Sequence, residues 1–105
     1  MKYIKIVKHN ANFNAIMMDD PSKLAEPLKE HVEWLKRLQE DGILLEGWFM
    51  PGEGKTFMVF ECTSSAELDN IILQDPMEFT FDAEVYPAIP LFDHIVDAFN
   101  AKIGK

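Results

Sequence analysis

Residues 43–62 read ILLEGWFMPGEGKTFMVFEC, and this stretch decides the fold. Two apolar runs, 43–50 and 55–62, flank Pro51-Gly52-Glu53-Gly54, a turn with two glycines. The reading is a β-hairpin. Alternation along a strand sends successive side chains to opposite faces. In the second run Phe57 and Val59 therefore oppose Met58 and Phe60. In the first, Leu44, Trp48 and Met50 oppose Ile43, Leu45 and Phe49. Both faces of the hairpin are apolar, although a sheet with helices on one side needs only one apolar face. An open face carrying Trp48, Met58 and Phe60 is a patch that monomers avoid. A second copy packed sheet to sheet about a twofold axis is the simplest cover. The C-terminal helix folded back over that face is the alternative.

Outward from the hairpin, residues 2–8 (KYIKIVK) read as a strand, and 9–20 (HNANFNAIMMDD) as a loop without a clean period. Residues 23–41 form the clearest helix, with Leu24, Leu28, Val32, Leu35 and Leu38 as its apolar stripe. Ser22 is a candidate cap, Pro27 lies early enough to be tolerated, and Gly42 is placed to end the helix. Ser64 with Glu67 fits a capping box for a second helix, which Asp75-Pro76 closes. Residues 78–88 alternate as a last strand, and about 91–102 form a C-terminal helix carrying Leu91, Phe92, Ile95, Val96 and Phe99. The order β-α-β-β-α-β plus a helix predicts an α+β, ferredoxin-like sandwich with an antiparallel sheet. The whole chain, 1–105, reads as one domain of this kind.

Net charge is −8, which opposes binding to nucleic acid or anionic lipid. No run approaches the roughly 18 apolar residues of a membrane span. The N-terminal lysines break up any signal-peptide core. A cytoplasmic location is the expectation. The single cysteine, Cys62, excludes an internal disulfide and a cysteine-based zinc cage. At a strand end it reads as a buried inert thiol. His9, His31 and His94 show no ligand-pair spacing, so no metal is expected. There is no phosphate-cradling glycine loop and no serine nucleophile elbow, and no cofactor is expected.

His31 stands at the edge of the apolar helix stripe and is the first candidate for proton transfer. The plainer alternative is a half-buried helix residue. Trp48, Met50, Met58 and Phe60 would line the space between two packed sheets and meet any small apolar ligand there. Tyr86, Glu84 and Asp82 alternate onto one face of the last strand. Aromatic walls there would raise a carboxylate's pKa; a solvated edge strand is the favoured reading.

The ordered set His31, Gly42, Leu44-Leu45, Gly47, Met50-Pro51, Phe60-Glu61, Ser65-Ala66, Asp75-Pro76 and Glu84-Val85 resembles the YCII-related family and, more loosely, muconolactone isomerase. Both belong to the dimeric α+β barrel group. The resemblance spans about residues 28–87. It departs from the YCII pattern in having Leu28 for an arginine, Gly47-Trp48 for Gly-Pro, Met77 for an aromatic, and Lys8-His9-Asn10 where an acidic residue is common. The resemblance implies a dimeric α+β barrel and a His–Asp pair, His31 with Asp75. In this fold the two helices run side by side in the same direction. His31 would then stand about 10 Å along its helix and Asp75 about 16 Å along its own, a modest mismatch.

Three functions follow as expectations. One is a cofactor-free enzyme moving a proton on a small cyclic or lactone-like metabolite, with His31 as base or acid and Asp75 orienting it. Trp48, Met58, Phe60 and Tyr86 would then contact the ligand. The others are a small-molecule-binding or regulatory module without catalysis, and a cofactor-independent monooxygenase.

Overall fold

A computed structural model describes residues 1–103. The elements are β1 (Lys2–His9), α1 (Ala11–Asp19), a 3-10 turn (Pro21–Leu24), α2 (Ala25–Glu40), β2 (Leu44–Met50), β3 (Lys55–Glu61), α3 (Ser65–Ile72), a second 3-10 turn (Glu78–Thr80), β4 (Phe81–Ala88) and α4 (Leu91–Lys102). The strands form one antiparallel sheet in the order β2-β3-β1-β4. The α+β class and ferredoxin-like order stand as expected.

The helix ends follow local chemistry. Gly42, at φ +74°, adopts a left-handed conformation that suits glycine, and ends α2. Its N–H bonds the Gln39 carbonyl at 3.1 Å and the Ile43 N–H bonds Leu38 at 2.9 Å, the paired closure of a Schellman motif. Ser64 Oγ accepts from Glu67 N at 3.1 Å and caps α3. Glu67 reaches back to Thr63 rather than to Ser64, so the capping box is only half formed.

Residues 9–20 are not a loop. Asn10 accepts from the Phe13 N–H at 3.1 Å and starts α1. This helix buries no residue, which is why no apolar period announces it. Ser22 does not cap α2: Asp20 caps the 3-10 turn instead, accepting from Ser22 N at 3.2 Å. Pro27 falls in the first turn of α2, where its missing N–H costs nothing. Residues 78–80 are a 3-10 turn rather than strand, with Thr80 fully buried at its end.

The face that α2 turns to the sheet differs from its leucine stripe. Trp34 and Leu38 are buried, while Leu28 and Val32 are 50% and 42% exposed. The helix is rotated so that the line through Leu24, His31, Trp34 and Leu38 faces inward. Beneath it lie Tyr3, Val7, Met58 and Phe60, joined by Leu68 and Ile72 of α3. Full burial of a side chain such as Phe60 is worth about 2–3 kcal/mol.

Met58 and Phe60 therefore belong to the helix-covered core and not to the open face. A bulge between Leu44 and Glu46 is the reason for the mixed grouping in β2. It puts Leu44 beside Phe60 on the core side but Trp48 beside Phe57 on the other. The open face carries Ile4, Ile6, Phe57, Val59, Trp48 and Tyr86 by register. Trp48 is 65% exposed. The hairpin is apolar on both faces with the members reassigned. α4 does not fold back over the open face, because it buries none of its residues. The chain extends 60 Å along its longest axis.

Candidate functional site

The sheet, α1 and α2 leave a cavity of about 510 Å³ at one end of β1. His9, Phe13, Leu28, His31, Met77 and Phe81 are among its lining residues. The lining is mostly apolar, and a ligand's polar atoms would meet two imidazoles, Lys8 and Thr56 in it.

His31 arrives from the inward line of α2. Its ring packs 6.1 Å from Trp34 and 5.8 Å from Phe81, between centroids. Its side chain is 13% exposed, against 2% for Asp75. Asp75 comes from the corner after α3, where Pro76 forbids the helix to continue. Its Oδ1 accepts from Met77 N at 2.9 Å and lies 2.6 Å from His31 Nδ1. The first bond closes an Asx turn that aims the carboxylate. The second assigns the proton: a carboxylate accepts only, so Nδ1 carries hydrogen. Nε2 is then the nitrogen left to act on a ligand.

His9 stands at the end of β1 and follows Val7 onto the same face of the sheet. Its ring stacks on Phe13 at 3.6 Å and approaches Phe81 at 5.6 Å. This partial desolvation pushes its pKa below the ordinary histidine value, although much of the residue stays exposed. Strand alternation from Val7 was a signal for His9. Phe13 had none, because α1 lacks an apolar stripe.

The other sequence-derived ligand residues are elsewhere. Met58 and Phe60 are shut in the core. Trp48 and Tyr86 lie on the open face, and neither lines the cavity. Tyr86 is 49% exposed and donates a 2.6 Å hydrogen bond to Glu84, which pushes the phenol pKa up. Asp82 and Glu84 are solvated edge groups, as the favoured reading had it. Cys62 is buried, and desolvation, then Glu67 and Glu61, push its thiol pKa up. Among the described residues no three His, Cys, Asp or Glu side chains gather as a metal site. None of the described helices is long and apolar enough to cross a membrane.

A search of curated proteins finds no match. Among solved structures, 5-chloro-2-hydroxyhydroquinone dehydrochlorinase from Burkholderia phenoliruptrix AC1100, in complex with 2,5-dihydroxybenzoquinone, is similar in fold, with a TM-score of 0.61. The two are 14% identical, over 85% of this chain and 94% of that one. The family model for muconolactone delta-isomerase matches residues 5–95, nearly the full length. With the four-stranded sheet and helix order in place, the conclusion is direct: the chain belongs to the muconolactone delta-isomerase family.

Proposed function

We propose that this protein is a cofactor-free enzyme of isomerase or lyase type that moves a proton on a small cyclic or lactone-like molecule. One observation carries the reading: His31, tied to the buried Asp75 carboxylate at 2.6 Å, lines an apolar cavity of about 510 Å³. Nε2 takes a proton from a ligand carbon made acidic by a neighbouring carbonyl. Asp75 steadies the imidazolium that forms. In an isomerisation the proton returns to another carbon and the composition is unchanged. In an elimination the electron pair expels a leaving group such as chloride. The family match and the dehydrochlorinase-like fold support these two outcomes.

The proposal includes a homodimer in the cytoplasm. The open face exposes Trp48 and Tyr86, and α4 exposes Leu91, Phe92, Ile95, Val96 and Phe99. A second copy of the chain, packed sheet to sheet, covers the first patch and forms the dimeric barrel.

The test is turnover of muconolactone and of chlorinated hydroxyhydroquinones by the wild type and by His31→Ala, with folding checked by circular dichroism. Activity that survives in His31→Ala ends the reading. A molecule that raises Tm but is recovered unchanged would make the protein a binding module. Oxygen uptake with a quinol would make it a monooxygenase.

A further inference from the structure

Lys5 is the anomaly of the core. It lies in the middle of β1 on the helix-covered face, between Tyr3 and Val7, and is only 1% exposed. Its cross-strand neighbours are Met58 and Val85. Burying an ammonium among apolar groups is costly, and a methionine at this position would pack without that cost. Stability alone therefore does not account for a lysine here.

Among the described residues the charge has one ionic partner, Glu78, whose Oε2 accepts from Lys5 Nζ at 2.8 Å. Glu78 opens the 3-10 turn directly after the Asp75-Pro76-Met77 corner. Hydrogen bonds run through this short segment without a break. The Asp75 carbonyl accepts from Glu78 N at 3.2 Å, and the Met77 carbonyl accepts from Thr80 N at 2.9 Å and Thr80 Oγ at 2.6 Å. At its far end Asn10 N bonds the Thr80 carbonyl at 2.9 Å. The segment is thus hooked at one end to the start of α1 and in its middle to the sheet, through Lys5.

We propose that Lys5 is a positioning residue for the His31–Asp75 pair: its ion pair with Glu78 locks the 75–80 turn to β1 and so fixes the Asp75 carboxylate against His31 Nδ1. The inference concerns the geometry of the pair and gains its functional meaning from the proposed reading above. Lys5 itself does not line the cavity.

The test reads the His31 Nδ1–H proton by NMR, as a far-downfield resonance protected from exchange and assigned by its absence in His31→Gln. Lys5→Met keeps the length and removes the charge. Its expected result is loss of that resonance while circular dichroism remains that of a folded protein. Leu68→Ala lowers stability from a core position on α3, seven residues before Asp75 and outside the 75–80 turn, and is expected to keep the resonance. A resonance retained in Lys5→Met overturns the proposal, and so does one lost in Leu68→Ala. Should Lys5→Met fail to fold, Glu78→Gln removes the partner charge from the more exposed end. Loss of the resonance there supports the lock, and retention overturns it. None of these outcomes depends on turnover, so the lock and the proposed reaction fail separately.

Discussion

His31 and Asp75 stand 44 residues apart in sequence, yet Asp75 Oδ1 lies 2.6 Å from His31 Nδ1. The same oxygen accepts from Met77 N at 2.9 Å. One atom thereby shapes the turn and orients the imidazole. Asp75→Ala is expected to leave both donors without a partner and to cost about 2–6 kcal/mol, since each buried donor left unsatisfied costs about 1–3 kcal/mol. Asp75→Asn retains an acceptor for Met77 and is expected to lose less stability. Urea denaturation of the two variants checks the order.

A catalytic prediction follows from the same pair. Asp75→Asn preserves the turn but removes the charge that steadies the imidazolium. Turnover of an accepted substrate is expected to fall by about 10²–10⁴-fold in His31→Ala, the usual worth of a positioned acid or base. The fall in Asp75→Asn is expected to be smaller, with the substrate's KM nearly unchanged. Steady-state kinetics on both variants separates the two effects.

Cys62 is expected to resist thiol reagents. It is 4% exposed, and burial followed by Glu67 and Glu61 disfavours the thiolate. Titration with a chromogenic disulfide is expected to show no fast-reacting thiol in the native protein and one per chain in urea. Rapid labelling of the native protein would contradict this.

The pKa of His9 is depressed by desolvation between Phe13 and Phe81. The unfolded chain therefore binds more protons than the folded one below the ordinary histidine value of about 6.5. The stability from a neutral His9 is fully present above that value and is lost as pH falls toward the depressed folded pKa. His9→Gln is expected to flatten this part of the Tm-against-pH curve. The comparison is made between pH 7.5 and 5.5, above most carboxylate titrations. Parallel curves for the two proteins would rule it out.

The open sheet face sets the prediction for assembly. Trp48, 65% exposed beside Phe57, is expected to be buried by a second copy. Sedimentation equilibrium is expected to give about twice the 12.1 kDa chain mass for the wild type. Trp48→Glu is expected to sediment as a single chain with unchanged circular dichroism.

Much of this architecture was legible because its residues repeat their signals. The hairpin showed two alternating apolar runs about a glycine-rich turn, and Gly42 marked the end of α2 where a positive φ is needed. α1 was hidden because it buries nothing, so Asn10 supplied a cap without an apolar face to accompany it. The inward line of α2 was hidden by its composition. Leu24, Leu28 and Val32, four residues apart, suggest one stripe, while tertiary packing selects the neighbouring line through His31 and Trp34. The separation of Leu44 from Trp48 onto opposite faces traces to a single extra residue in β2, which periodicity alone does not show. For the site, His31 stood out at the edge of its helix stripe, its pairing with Asp75 came through resemblance, and His9 lay within reach of strand alternation. Phe13 and Phe81 became cavity walls only once α1 and the 78–80 turn were in place.

The two rims of the sheet bear on how copies can add to one another. β4 is an outer strand and contains Pro87, a residue with no N–H to offer and one that strands tolerate at a margin. β2, the other outer strand, is interrupted by its bulge. An incoming strand would meet a missing donor on one side and a broken ladder on the other. Lateral growth into a continuous ribbon is discouraged at both margins, and association is channelled to the broad surfaces of the sheet.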